Sequence, residues 1–110
     1  MFKYTHKLGL GSAQWGLDYG ISNNSGQSTE QDVKKILKLA TSVGIKIIDT
    51  AYSYGNSEKI IGENNLDFFN IVTKIPTNSF NEAKSIRDIF FDSLENLGLK
   101  KIYSLLLHNC

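Results

Sequence analysis

Hydrophobic positions along the chain follow two alternating spacings. Residues 7–13 form a short apolar run bounded by glycines, which predicts a first strand. Val33, Ile36, Leu37, Ala40 and Val43 then recur at three- and four-residue intervals and so share one face of a helix. Ser28 and Thr29 ahead of Glu30, Gln31 and Asp32 make a capping-box start for that helix. Gly44 stands where a left-handed C-terminal cap is wanted. Ile45-Lys46-Ile47-Ile48-Asp49 is short and β-branched, a second strand.

The same two rhythms continue. A short helix is expected over residues 57–63 and a third strand over residues 69–73, with Pro76 just beyond to keep that strand from running on. Residues 81–97 read as a second long helix, with Ala83, Ile86, Ile89, Phe90, Leu94 and Leu97 on its buried side and Gly98 ending it. Residues 102–107 are a fourth strand, and the polar, glycine-containing residues 19–28 are a loop.

Four strands alternating with three helices predict right-handed βαβ units on a parallel sheet. Such sheets carry helices on both faces or close into barrels. A complete (β/α)₈ barrel takes roughly 250 residues. Four strands in 110 residues is therefore the pace of the first half of a barrel, one partial domain over residues 1–110. A four-stranded doubly wound sheet is the competing architecture.

Composition acts mainly by exclusion. A hydrophobic fraction of 41% and a charged fraction of 21% argue against disorder. A net charge of +1 gives no reason to expect nucleic acid or an anionic surface as partner, and the Lys34, Lys35 and Lys38 cluster reads as a solvated helix face. The single cysteine, Cys110, excludes an internal disulfide and any cysteine-built metal centre, so no metal is expected and a reducing cytoplasm is the natural setting. The first residues lack a signal-peptide pattern, and no run approaches the roughly 20 apolar residues of a membrane span.

Candidate chemistry gathers where barrels build active sites, at the C-terminal ends of the strands. The second strand ends in Asp49, the third leads to Lys74 and the fourth to His108, while Tyr54 follows Asp49 by five residues. Singly, each has an ordinary reading: Asp49 as a turn cap, Lys74 as an exposed strand terminator, His108 as a surface histidine. Tyr52 is chemically as good a phenol as Tyr54. As a set they make sense for carbonyl reduction. A phenol of ordinary pKa, about 10, gives up its proton more readily beside an ammonium. A carboxylate fixes that ammonium, and a histidine can donate to the same carbonyl.

The segment Asp49-Thr50-Ala51-Tyr52-Ser53-Tyr54-Gly55-Asn56-Ser57-Glu58-Lys59-Ile60-Ile61-Gly62 resembles the aldo-keto reductase signature that follows the second barrel strand. Val72-Thr73-Lys74, Leu106-Leu107-His108 and the opening Leu8-Gly9-Leu10-Gly11 are similar to the family's other strands. The resemblance implies an NAD(P)H-dependent oxidoreductase on a (β/α)₈ barrel, reducing an aldehyde or ketone to an alcohol with NADPH, or NADH, as cofactor. It also implies a catalytic tetrad of Asp49, Tyr54, Lys74 and His108, with Tyr54 the acid, Lys74 and Asp49 tuning it, and His108 orienting substrate. Gly11-Ser12-Ala13-Gln14-Trp15-Gly16 departs from the shorter sequence of many relatives and resembles a branch found with bacterial surface-sugar genes, which points to a sugar-related carbonyl.

Two other glycine motifs fail. Gly9-Leu10-Gly11-Ser12-Ala13-Gln14 lacks the third glycine of the dinucleotide fingerprint, and Leu17 stands where a P-loop needs lysine. Gly11, Ser12 and Ala13, with Asp49, are instead expected to pass close to a nicotinamide at the barrel mouth, unless the glycines serve only as turns. Trp15 and Tyr19 either line the substrate pocket or plug the rim.

Stopping after four strands implies open edges on the first and fourth. Phosphate sites of barrels frequently use the loops after strands seven and eight. The chain is therefore expected to keep the tetrad, to lose most cofactor affinity and to be weak or inactive alone. A prematurely ended reading frame accounts for the length most simply; a homodimer or a complementing C-terminal half could close the barrel. The alternatives are a non-catalytic half-barrel that a partner completes, and an unrelated small α/β domain.

Overall fold

A computed structural model describes residues 3–17, 26–76 and 85–108. After a 3-10 turn at Thr5–Lys7 come β1 (Gly9–Gly11), α1 (Ala13–Gly16), α2 (Glu30–Val43), β2 (Ile47–Asp49), α3 (Ser57–Gly62), β3 (Asn70–Pro76), α4 (Ile86–Leu97) and β4 (Ser104–His108). All neighbouring strands pair in parallel, in the order β1-β2-β3-β4. Each strand adds to the outer edge of the one before it, without the reversal of a doubly wound sheet. This is the progression of a barrel wall.

The helices share one side of that wall. Val33, Leu37 and Ala40 of α2, Ile60 and Ile61 of α3 and Leu97 of α4 join Ile48 of β2 and Ile71 of β3 in a single core with Trp15. By register, Asp49 lies opposite Val72, Lys74 opposite Leu106 and Pro76 opposite His108, so these side chains occupy the other, inner face. That face is only half-buried, with Leu106 of the outermost strand 45% exposed, and Leu105 and Leu107, on the helix side of the same strand, are 41% and 53% exposed.

Local chemistry sets the element ends. Thr29 caps α2, accepting from the Asp32 amide while the Asp32 carboxylate accepts from Thr29 N–H. Gly44 closes the helix at φ 86°. The lysine face of α2 is exposed as expected.

Three expectations need correction. β3 runs through Pro76 instead of stopping at residue 73. The amides of Thr50 and Tyr52 donate to the carbonyls of Val72 and Lys74, so even-numbered residues of β3 turn their backbone polar groups towards β2. β2 has already ended at Asp49, opposite Val72, so the missing N–H of Pro76 removes no ladder bond. The second long helix is described from Ile86, capped by Ser85 and Asp88, and residues 81–84, with Ala83, lie outside the described residues. Ile86, read as buried, is 44% exposed in the first turn of that helix.

Candidate active site

The site is built where β2, β3 and β4 end. Lys74 Nζ donates to both carboxylate oxygens of Asp49, at 2.9 and 2.8 Å, and to the carbonyl of Thr50 at 3.0 Å. The lysine side chain is 15% exposed and the aspartate 42%, so the cation is the more enclosed partner of the pair. All three ammonium protons therefore have acceptors, and the charge is fixed in place.

Tyr54 stands over this pair. Its ring centroid lies 5.2 Å from Lys74 Nζ and 5.8 Å from the centroid of the His108 ring, which meets it edge-on at 88°. His108 Nδ1 is buried and has no hydrogen-bond partner among the described residues. Tyr52, the chemical equal of Tyr54 in the sequence, points elsewhere: its hydroxyl donates to Asp92 of α4 at 3.4 Å. Geometry thus selects Tyr54 as the phenol of the site.

A close backbone contact holds the Tyr54 turn. The end of α1 packs so tightly against it that a Cβ on Gly16 would collide with the carbonyl oxygen of Tyr54. Gly55, at φ 56°, turns the chain directly after Tyr54, and a side chain there would strike the carbonyl of Gly16. Two glycines far apart in sequence therefore fit one contact.

The remaining candidates divide. Gly11 is exposed at the end of β1, with open space where a side chain would stand. Ala13 opens α1 and is half-buried. Ser12 is wholly buried, and both its hydroxyl and its amide donate to the carbonyl of Asp49, at 2.8 and 3.0 Å. Trp15 is 4% exposed and belongs to the helix-side core. Tyr19 lies outside the described residues.

Beneath the rim lies a buried polar layer that pattern reading passed over. Thr50 and Thr73 neighbour Asp49 and Lys74 in sequence and so point to the opposite face. Thr73 donates to Glu58 at 2.8 Å, and Asn96 of α4 donates to the other carboxylate oxygen at 3.3 Å. Glu58, only 2% exposed, thereby ties α3 to β3 and α4. The signal was present in the Ser57-Glu58 pair of the signature segment, but an acidic residue in a short helix reads as surface until its neighbours are known.

The family model for the aldo/keto reductase family matches residues 7–110. The chain belongs to that family. It is similar to two solved structures from Pseudomonas aeruginosa, each titled an aldo-keto reductase, at 29% and 26% identity with TM-scores of 0.74 and 0.71. Each match covers 92% of this chain but only 42% and 40% of the relative, so the chain spans about two-fifths of their length. No curated protein matches it significantly.

The family implies a nicotinamide cofactor, and the rim fits its reacting end. Gly11 leaves open space beside Asp49, its pairing partner across β1 and β2, and Tyr54, Lys74 and His108 converge on the same rim. Among the described residues no group of three or more His, Cys, Asp or Glu could hold a metal ion, and no helix is long and apolar enough to cross a membrane.

Proposed function

We propose that the chain supplies the catalytic half of an NAD(P)H-dependent reductase that converts an aldehyde or ketone, in a sugar-related substrate, to an alcohol. The convergence of Tyr54, Lys74, Asp49 and His108 on one rim carries this reading. The bound dinucleotide, NADPH or NADH, would supply the hydride, with Gly11, Ala13 and Asp49 nearest to it. Family membership supports an oxidoreductase of this kind.

The chain's own residues would do the rest. The Tyr54 hydroxyl gives its proton to the carbonyl oxygen as negative charge gathers there. Lys74, held by Asp49, stabilises the phenolate left behind, because a cation 5.2 Å from the Tyr54 ring centroid in a partly dry site acts through a lower dielectric than water. His108 donates to the carbonyl and orients it. Ser12, wholly buried with its hydroxyl and amide both donated to the Asp49 carbonyl, would support this end of the site from beneath and not touch the cofactor.

The exposed leucines of β4 support a barrel completed from beyond these strands, by further chain, by a complementing C-terminal half or by a second copy. We place the protein in the cytoplasm, acting on a small molecule, with no nucleic acid or membrane as partner. The same exposed edge favours one alternative, a non-catalytic half-barrel that a partner completes. Joining residues 1–110 to the second half of the Pseudomonas barrel and assaying carbonyl-dependent NADPH oxidation separates the two. A rate lost in Tyr54→Phe supports the reductase; NADPH binding with no such rate supports the alternative.

A further inference from the structure

Ser57 opens α3, three residues after Tyr54, and is wholly buried. Its hydroxyl lies 3.0 Å from Thr50 Oγ1, 3.1 Å from Ser12 Oγ and 3.2 Å from the Ser12 carbonyl. Thr50 and Ser12 are also 0% exposed. Each hydroxyl has one proton, which fixes the direction of the bonds. Ser12 spends its proton on the Asp49 carbonyl. Ser57 therefore donates to Ser12, and Thr50 must donate to Ser57.

We infer that Ser57 is a positioning residue for Tyr54. Its hydroxyl closes a hydrogen-bonded ring through Ser12, the Asp49 carbonyl and Thr50, which joins α3 to the ends of β1 and β2. The Ser57 amide donates to the Tyr54 carbonyl at 3.0 Å, so the turn that carries the phenol hangs from this ring. On the other side, the Gly16 backbone presses on the same turn. Asp49 is thus fixed at its carbonyl by the ring and at its carboxylate by Lys74. The ring sets how far Tyr54 stands from the Lys74 ammonium. Buried hydroxyl chains of this kind rigidify their surroundings when every member is satisfied.

The inference takes its meaning from the reductase reading, but its test needs no turnover. In the isotope-labelled 110-residue chain, nuclear Overhauser effects from the Tyr54 ring to the Lys74 and His108 side chains report the geometry directly. Ser57→Ala is expected to weaken them at least threefold while amide-exchange protection in β3 stays within twofold of the unmodified chain. Thr50→Val, which keeps the side-chain shape and deletes one ring bond, should weaken them as well, and Thr50→Ser, which restores the hydroxyl, should not. Undiminished ring contacts in Ser57→Ala would overturn the inference. If that variant does not fold, undiminished contacts in Thr50→Val overturn it instead. A reductase assay that fails while these contacts respond as expected would count against the functional reading alone.

Discussion

Lys74 Nζ sits between the two carboxylate oxygens of Asp49, at 2.9 and 2.8 Å, and 5.2 Å from the ring centroid of Tyr54. One carboxylate thereby aims one cation at one phenol, across two strands and a loop.

Removing the cation should cost more than neutralising the anion. Lys74→Met removes the cation that opposes charge on the Tyr54 oxygen, and the reductase rate is expected to fall by about 100-fold, the lower range for a positioned acid–base group. Asp49→Asn keeps a carbonyl acceptor for the ammonium, so its loss should be smaller. Steady-state kcat for the two variants, measured side by side, checks the order.

The contact between Gly16 and the Tyr54 turn predicts a specific overpacking defect. In Gly16→Ala the new methyl meets backbone, which cannot rotate away. A loss of about 1–3 kcal/mol is expected from such a clash. Urea unfolding followed by circular dichroism measures it. Gly11→Ala, where nothing lies within 4 Å of the added atom, is the control and should change stability little.

Glu58 is tested by truncation. Glu58→Ala would leave the Thr73 hydroxyl and the Asn96 amide without their acceptor, and an unsatisfied buried donor costs about 1–3 kcal/mol. A drop of that size in unfolding free energy is expected, with less in Glu58→Gln, which retains one acceptor oxygen.

Acid should weaken the start of α2. The Asp32 carboxyl is held below its usual 3.8, first by the hydrogen bond from the Thr29 amide and then by that from the Thr29 hydroxyl. A carboxyl whose pKa is lower folded than unfolded contributes stability above the unfolded value, and that contribution is lost as pH falls through the folded one. Asp32→Asn should therefore flatten part of the pH dependence of unfolding below about pH 4. Urea midpoints of the two proteins across that range check it.

Much of this was legible before any coordinates. The meeting of Asp49, Tyr54, Lys74 and His108 on one rim was legible because Asp49, Lys74 and His108 stand at strand ends and the signature segment linked Asp49 with Tyr54. Thr29, Gly44 and the α2 core positions were legible because capping and helical period are local. What escaped depends on distant pieces of chain meeting. Pro76 fits β3 only because β2 is shorter on that side. Ser12 looked like a cofactor contact until its hydroxyl was seen to reach Asp49, 37 residues away. On chemistry alone Tyr52 and Tyr54 were equals; the signature segment pointed to Tyr54, and the bond from Tyr52 to Asp92 of α4 adds a structural reason. Trp15, placed at the rim by its sequence neighbours, packs into the helix-side core.

The most direct measurement is the effect of Tyr54→Phe on carbonyl-dependent NADPH oxidation, with residues 1–110 joined to the second half of the Pseudomonas barrel. Loss of the hydroxyl should lower kcat by roughly 10² to 10⁴, the contribution of a positioned acid, while NADPH affinity measured by fluorescence stays within about twofold. A Tyr54→Phe protein that oxidises NADPH as fast as its parent would contradict the assignment of this rim as a reductase site.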